Sequence, residues 1–440
     1  MGVRGALVYA TGEFGANMTW NMVSGFILVY YTNVALLPVA AVGVMLFLTR
    51  VLDAVIDPLI GIAVDRTRTR WGRARPYLIF GALPFLIIVT LTFSVPAWSP
   101  GEKLVYAYVT FTLAGILYSI ITIPYNAMLP LMTSNPVDKL RVSSYRAMVA
   151  SIGSIIMYSS MMLLVGWFGG GDQHLGFSIT SAIMGATTAA AMLVVFTFCR
   201  ERPDVLRPMQ DGSLRAGFDG MLRNPVWLIV AAFSFANFIR LGAMVSMTPY
   251  FAVEVLGRPD AIAFLFSSLS VSILIGGYLG KPLIARVGKR AANLGAIFGA
   301  VTITLAMAVA RGHALLFDIL YFIANISIGI HATTCFLMIA DSVDYQERTQ
   351  GRRSEGLLSS AVSFAFKVGM AVGGAIAAAG LAFSDYRPGN VTAVVRDFIG
   401  ILYFGVPATF AVIQALIISL YRAKYNLSEP VAAVPVPGPP

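Results

Sequence analysis

The chain has 440 residues, of which 58% are hydrophobic and only 12% are charged, and its mean hydropathy is +0.78. Soluble globular chains carry about 25% charged residues, so this composition excludes a disordered protein, a collagen and an ordinary cytosolic enzyme. The net charge of +10 would suggest nucleic-acid binding in a soluble chain. In so apolar a chain it predicts instead a membrane orientation, with the lipid bilayer as partner and no nucleic acid.

Twelve apolar segments follow one another along the chain, each long enough to cross a bilayer as a helix. Because lipid offers no hydrogen bonds to the backbone, such segments must be helical, and the alternating pattern of a membrane barrel is absent. The sequence therefore predicts an all-α polytopic membrane protein with twelve transmembrane helices. The segments are 7–32, 38–64, 76–96, 104–131, 143–168, 177–199, 225–253, 261–285, 292–310, 314–340, 356–383 and 399–421.

The basic residues predict the orientation of these segments. If the amino terminus is cytoplasmic, 22 of the 31 Lys and Arg residues fall in inner loops and five in outer loops. This bias indicates that both termini are cytoplasmic and that the protein lies in the cell inner membrane.

The longest hydrophilic stretch, 200–224, divides the chain into two halves of six segments. The sequence therefore predicts an amino-terminal bundle (1–199), a cytoplasmic linker (200–224), a carboxy-terminal bundle (225–425) and a disordered Pro-rich tail (426–440). The loops after the second segment of each half both combine glycine with basic residues, which is typical of parallel repeats.

Charged residues in the second segment are the strongest functional candidates, because a charge near the bilayer centre is costly. Arg50, Asp53 and Asp57 have i, i+3, i+7 spacing and share one helix face. Two carboxylates four residues apart can coordinate a small hard cation such as Na⁺, or hold a proton. The alternative is a structural ion pair between Arg50 and its neighbours.

Other polar side chains lie inside apolar segments. Glu13 and Asn17 are one turn apart in the first segment. Lys367 lies in a small-residue-rich segment and needs a cavity or a carboxylate beside it, so we expect it to be a countercharge for Asp53 or Asp57. The guanidinium of Arg146 suits bidentate contact with hydroxyls or a carboxylate.

Two further buried groups, Arg240 and His331, are interpreted as structural. The sequence has no Walker loop, no zinc-ligand spacing and no Gly-x-Ser-x-Gly motif, which predicts that the protein is not an enzyme. Cys199 and Cys335 lie in separate segments, so a disulfide is not expected.

Eight segments, in order over nearly the whole chain, resemble the glycoside–pentoside–hexuronide:cation symporter family. They are 12–15 (GEFG), 30–33 (YYTN), 50–58 (RVLDAVIDP), 65–77 (DRTRTRWGRARPY), 123–126 (IPYN), 341–345 (DSVDY), 353–356 (RSEG) and 367–369 (KVG).

The resemblance implies the major facilitator fold, with two six-helix bundles around a central site and alternating access driven by Na⁺, H⁺ or Li⁺. By position, Asp53 and Asp57 correspond to the family's cation-binding carboxylates, and Lys367 to its lysine at that site. Arg146 corresponds to the family's sugar-contacting arginine. No cofactor is implied beyond the coupling cation.

The chain departs from the family's pattern at the sugar site. Asn17 and Thr122 stand where aspartates are expected, and Asn126 and Ala332 where tryptophans are expected. These changes argue against a galactoside substrate, and the neutral Thr122 favours H⁺ slightly over Na⁺. Glu13 is expected to compensate in part.

The resulting prediction is a cation-coupled symporter for a sugar, glycoside or related small solute, working as a monomer. A lipid-like substrate on the same fold, or a receptor or scaffold that does not transport, are the alternatives. The predicted cation-binding residues are Asp53, Asp57, Thr122 and Lys367. The predicted substrate-binding residues are Glu13, Asn17, Asn126, Arg146 and Lys367. The predicted gate or structural ion pairs involve Arg50, Asp65, Arg66, Arg73, Asp341, Asp344 and Glu355.

Overall fold

The computed structural model describes residues 3–133, 135–201, 219–350 and 355–421. Regular structure within these ranges is helical, apart from an isolated bridge between Thr69 and Gly72. The helices are α1 (Val3–Val29), α2 (Val39–Arg66), α3 (Arg75–Thr92), α4 (Pro100–Met132), α5 (Pro136–Gly169), α6 (Gln173–Phe198), α7 (Pro225–Tyr250), α8 (Ala261–Val309), α9 (Ala314–Gln350), α10 (Glu355–Phe383) and α11 (Ala393–Ser419).

Ten helical stretches in the described ranges are long and apolar enough to cross a membrane. The longest contains α8, whose two arms meet at Gly288, and Arg258 before the first arm contacts Asp318 after the second at 3.2 Å. The chain therefore reverses at Gly288, and α8 supplies two of the predicted spans. Helix α1, predicted as the first span, is not among these ten stretches. The prediction of an all-α polytopic fold is confirmed.

The reversal in α8 depends on a glycine. Gly288 has φ 82° and ψ 161°, a conformation that side chains with a Cβ avoid. We expect Gly288→Ala to destabilise the protein by about 1–3 kcal/mol, measured by thermal unfolding in detergent. Gly295→Ala, in the same helix with open space around its Cβ position, should be neutral or slightly stabilising. Equal stability of the two variants would contradict this account.

Helix packing follows the two halves of the chain. In the amino-terminal half, α1 packs on α5 and α6, α3 on α4 and α6, and α2 on α4. In the carboxy-terminal half, α8 packs on α9, and α7 on α10 and α11. The halves meet where α2 lies against α10, α5 against α8 and α1 against α7. A site between the halves is therefore bordered by these six helices.

Tight contacts join the halves at one end of the molecule, here called the closed end and defined by Thr32, Asn33, Tyr250 and Tyr386. The Thr32 and Tyr250 hydroxyls lie 2.6 Å apart, and Asn33 Nδ2 donates to the Tyr386 hydroxyl at 3.1 Å. Nearby, the rings of Tyr158 and Phe266 stack with centroids 4.4 Å apart. These contacts close the space between the halves at that end.

The first helix of each half ends in the same way. A π-helical turn follows α1 at Tyr30–Val34 and another follows α7 at Phe251–Val255. Beyond each turn lies one residue of positive φ, Leu36 at 59° and Gly257 at 63°. The backbone hydrogen bonds match as well, because the amides of residues 35 and 37 bond residues 30 and 31 as those of 256 and 258 bond 251 and 252. The two halves thus share a local backbone at the closed end.

Candidate functional site

A cavity of about 460 Å³ lies between the two halves and is bordered by α1, α2, α5, α7, α8 and α10. Its polar lining includes Asn17, Asn21, Ser154, Arg50 and Lys367. This size is within the range of small-molecule sites, and the mixture of amides, hydroxyls and cations suits a polar organic solute.

Two carboxylates of α2 pair with cations that line this cavity. Asp53 is only 3% exposed, with Oδ2 3.6 Å from Arg50 Nη1. Asp57 forms an ion pair with Lys367 of α10, which links the two halves. Oδ1 of each carboxylate is buried without a hydrogen-bond partner in the described structure. Such orphaned acceptors are costly unless something else satisfies them, and a proton or small cation would do so.

The Asp53 carboxylate packs against bare backbone on α4. A Cβ atom placed on Gly115 would lie 2.6 Å from Oδ1 and 2.7 Å from Oδ2 of Asp53. Glycine at this position therefore makes the room that the carboxylate occupies. Sequence reasoning missed Gly115, because a glycine in an apolar helix carries no sign of the side chain that it faces.

Arg50 connects the carboxylates to an aromatic stack. Its guanidinium lies 4.0 Å from the centroid of the Trp20 ring, and Trp20 stacks on Tyr118 with centroids 4.2 Å apart. Both Trp20 and Arg50 line the cavity. Tyr118 and the Arg50 guanidinium therefore cover the two faces of the Trp20 ring. A solute in the cavity would meet this sandwich and a guanidinium held by Asp53.

The predicted substrate residues of the amino-terminal half form one cluster. Arg146 Nε donates to Glu13 Oε2 at 2.9 Å, and the same guanidinium contacts Asn126. Asn17 Nδ2 donates to Glu13 Oε1 at 3.0 Å. Asn17 is the member of this cluster that lines the cavity, so it connects the cluster to the space that would hold a solute.

Thr122 is the predicted cation ligand that the structure does not bring to the carboxylates. Its hydroxyl donates to the carbonyl of Tyr118 on its own helix at 2.8 Å. The described contacts place it against neither Asp53 nor Asp57. The threonine therefore adds no visible ligand to the pair.

Two predicted gate residues make contacts inside one half. Asp341 forms a buried ion pair with Lys289, joining α8 to α9, and also accepts from the Tyr421 hydroxyl. The backbone amide of Arg73 donates to Glu201 Oε2 at 2.8 Å, at the start of α3. Through these described contacts, Arg73 stabilises the amino-terminal half and Asp341 stabilises the carboxy-terminal half.

The remaining gate candidates are placed as follows. Arg50 pairs with Asp53 on its own helix, Arg66 is exposed at the end of α2 and Asp344 is half-buried in α9. The side chains of Asp65 and Glu355 lie outside the described residues.

Exposure differs between the closed end and the cavity lining. Tyr31 and Tyr250 of the closed end are at most 1% exposed. In contrast, 41% of the Lys367 side chain is exposed, and Asn126, near the other end of α4, is exposed as well. The cavity-lining Lys367 is therefore accessible, whereas the tyrosines at the closed end are not.

Comparisons with known proteins agree with this architecture. A family model described as "MFS/sugar transport protein" matches residues 8–424. The chain is 31% identical to the putative glycoside/cation symporter YagG of Escherichia coli K12, covering 94% of this chain and 90% of that protein. It is 29% identical to the inner membrane symporter YicJ of the same organism, covering 96% and 92%. The crystal structure of the nucleoside transporter NupG superposes with a TM-score of 0.68 at 14% identity, covering 94% and 98%.

Proposed function

Because the chain belongs to the MFS/sugar transport protein family, we propose that it is a cation-coupled secondary symporter that carries a sugar or glycoside by alternating access. The resemblance to glycoside–pentoside–hexuronide:cation symporters is confirmed by its relatives. One observation carries the proposal: two carboxylates paired with cations that line the central cavity, each with an orphaned buried oxygen, and one of them paired across the halves with Lys367.

This pairing supplies a means of coupling. A cation that binds Asp57 competes with the Lys367 ammonium for the same carboxylate. Lys367 also lines the cavity, so its release offers a donor to the hydroxyls of a solute. Cation and solute then both favour the state in which the Asp57–Lys367 ion pair is broken. Coupling requires only that they bind one orientation of the halves more tightly than the other.

The donor set favours a proton as the coupling ion. Sodium needs several oxygen ligands, and the described contacts add none from Thr122 to the two orphaned carboxylate atoms. A proton needs only one of those oxygens. We therefore propose H⁺ as the coupling ion and keep Na⁺ as the alternative.

The remaining features of the proposal concern placement in the cell. The protein is a multi-pass membrane protein, and we propose that the closed end faces outwards, with both termini in the cytoplasm. It acts as a monomer and has no enzymatic activity. The division into bundles at 1–199 and 225–425 stays a prediction, and the predicted tail at 426–440 lies outside the described residues.

Transport by purified protein in proteoliposomes tests the function. We expect radiolabelled glycosides or pentosides to accumulate when the proton concentration is higher outside the proteoliposomes than inside. Accumulation should be weaker under an inwardly directed Na⁺ gradient. Dissipating the gradient should return the solute to equilibrium. Empty liposomes are the control, and lysolipid competitors test a lipid-like substrate. Absence of gradient-driven uptake across the panel would overturn the proposal.

A further inference from the structure

Arg240 is a buried cation that the central cavity does not use. It lies on α7 and is 5% exposed, with its side chain in the interior of the carboxy-terminal half. The neighbouring Leu241 and Gly242 line the central cavity, whereas Arg240 lines a different one. Its Nη2 atom is fully buried without a hydrogen-bond partner in the described structure.

Two other cations in the interior of the described structure have a carboxylate beside them. Arg50 lies beside Asp53, and Lys289 pairs with Asp341. Arg240 forms no ion pair among the described residues. An uncompensated charge in a low-dielectric interior is strongly unfavourable, so the Arg240 site calls for a negative partner.

The second cavity, of about 40 Å³, is lined by Arg240 and by no carboxylate among the described residues. Its polar residues Thr304, Asn325 and Ser327 donate to backbone carbonyls of their own helices at 2.7–2.8 Å. His331 cannot balance the charge either, because an imidazole is neutral or positive. Helices α7, α8, α9 and α11 therefore border a small space beside Arg240, whose charge is not balanced by any described carboxylate.

The volume limits what can occupy this space. It exceeds the roughly 10–15 Å³ that one water needs, and it is far smaller than the central cavity. Water would satisfy the guanidinium hydrogens but would leave the charge unbalanced. A monatomic anion does both.

We propose that Arg240 binds a halide ion, with the chemistry of chloride, in this cavity inside the carboxy-terminal half. The ion balances the positive charge of the buried Arg240 guanidinium. The proposal is independent of the transported solute and of the coupling cation.

Thermal unfolding in detergent tests the halide site. The purified full-length protein is compared in sodium gluconate and in sodium chloride or bromide, at constant Na⁺ and ionic strength. Gluconate is too large for the cavity. A ligand that binds only the folded protein raises its melting temperature, so we expect a saturable rise of at least about 2 °C in chloride or bromide.

Two variants separate the site from general salt effects. Arg240→Met, which replaces a buried charge by an apolar side chain of similar length, should lose the halide dependence. Arg311→Gln, at an arginine with a 42% exposed side chain in the same half, should retain it. A wild-type protein indifferent to halide, or a halide response that persists in Arg240→Met, would overturn the proposal.

A second measurement holds even if Arg240→Met does not fold. In crystals of the wild-type protein grown in bromide, we expect an anomalous bromine peak within hydrogen-bond distance of the Arg240 guanidinium. Ordered water alone at that position, without anomalous signal, would overturn the halide site.

Discussion

Replacing Asp53 by asparagine is expected to abolish gradient-driven accumulation while leaving the protein folded. The change removes one of the two carboxylates proposed to hold the coupling ion and leaves Arg50 without its carboxylate. Coupling free energies between sites correspond to factors of about 5–150, so we expect accumulation in proteoliposomes to fall by at least roughly tenfold. Size-exclusion chromatography and thermal unfolding report whether the variant remains folded.

The matched control for Asp53→Asn is Asp318→Asn. Asp318 is also partly buried and paired with an arginine, Arg258, at 3.2 Å. Arg258 does not line the central cavity, whereas Arg50, the partner of Asp53, does. This control should transport at nearly the wild-type level. Unchanged accumulation by Asp53→Asn under both ion gradients would reject the assignment of the ion to this carboxylate.

Adding one methyl group at Gly115 is expected to have a comparable effect on transport. The new Cβ atom would overlap both oxygens of the Asp53 carboxylate, which must then rotate away from the position it holds beside Arg50. We expect Gly115→Ala to weaken the dependence of uptake on the coupling ion by about tenfold. Overpacking of this kind typically costs about 1–3 kcal/mol of stability, so thermal unfolding should be measured in parallel.

Gly61→Ala provides the control for Gly115→Ala. Gly61 is also inside a helix, and a Cβ atom there meets nothing within 4 Å. Both substitutions raise helix propensity by about 1 kcal/mol, so the difference between them isolates the contact with Asp53. If both variants transport like the wild-type protein, the position of the Asp53 carboxylate does not control coupling.

Sequence periodicity predicted contacts within one helix better than contacts between helices. The i, i+3 spacing of Arg50 and Asp53 placed them on one face, and they lie together in the structure. The pairing of Asp341 with Lys289 spans 52 positions, and neither residue carries a local signal of the other. The close approach of Gly115 to Asp53 also could not be predicted from local sequence, because it depends on how α2 and α4 pack against each other.

Segment boundaries were predicted from hydropathy, and apolar sequence ends where a helix leaves the lipid. Helix α9 continues to Gln350, ten residues beyond the predicted end at 340, because the helical hydrogen bonds continue into polar sequence. Helix α8 shows the converse case. Two separate spans were predicted there with a connection at 286–291, and in the structure the two arms of α8 follow each other directly, because the chain reverses at Gly288.

The ends of α1 and α7 are alike in local backbone and unlike in sequence. The amino-terminal copy keeps its shape with Leu36 where the carboxy-terminal copy has the more permissive Gly257. The acidic pair of α2 has no counterpart in the first arm of α8, where residues 261–287 contain no Asp or Glu. The amino-terminal half thus supplies both carboxylates, and the carboxy-terminal half supplies the Lys367 ammonium that pairs with Asp57.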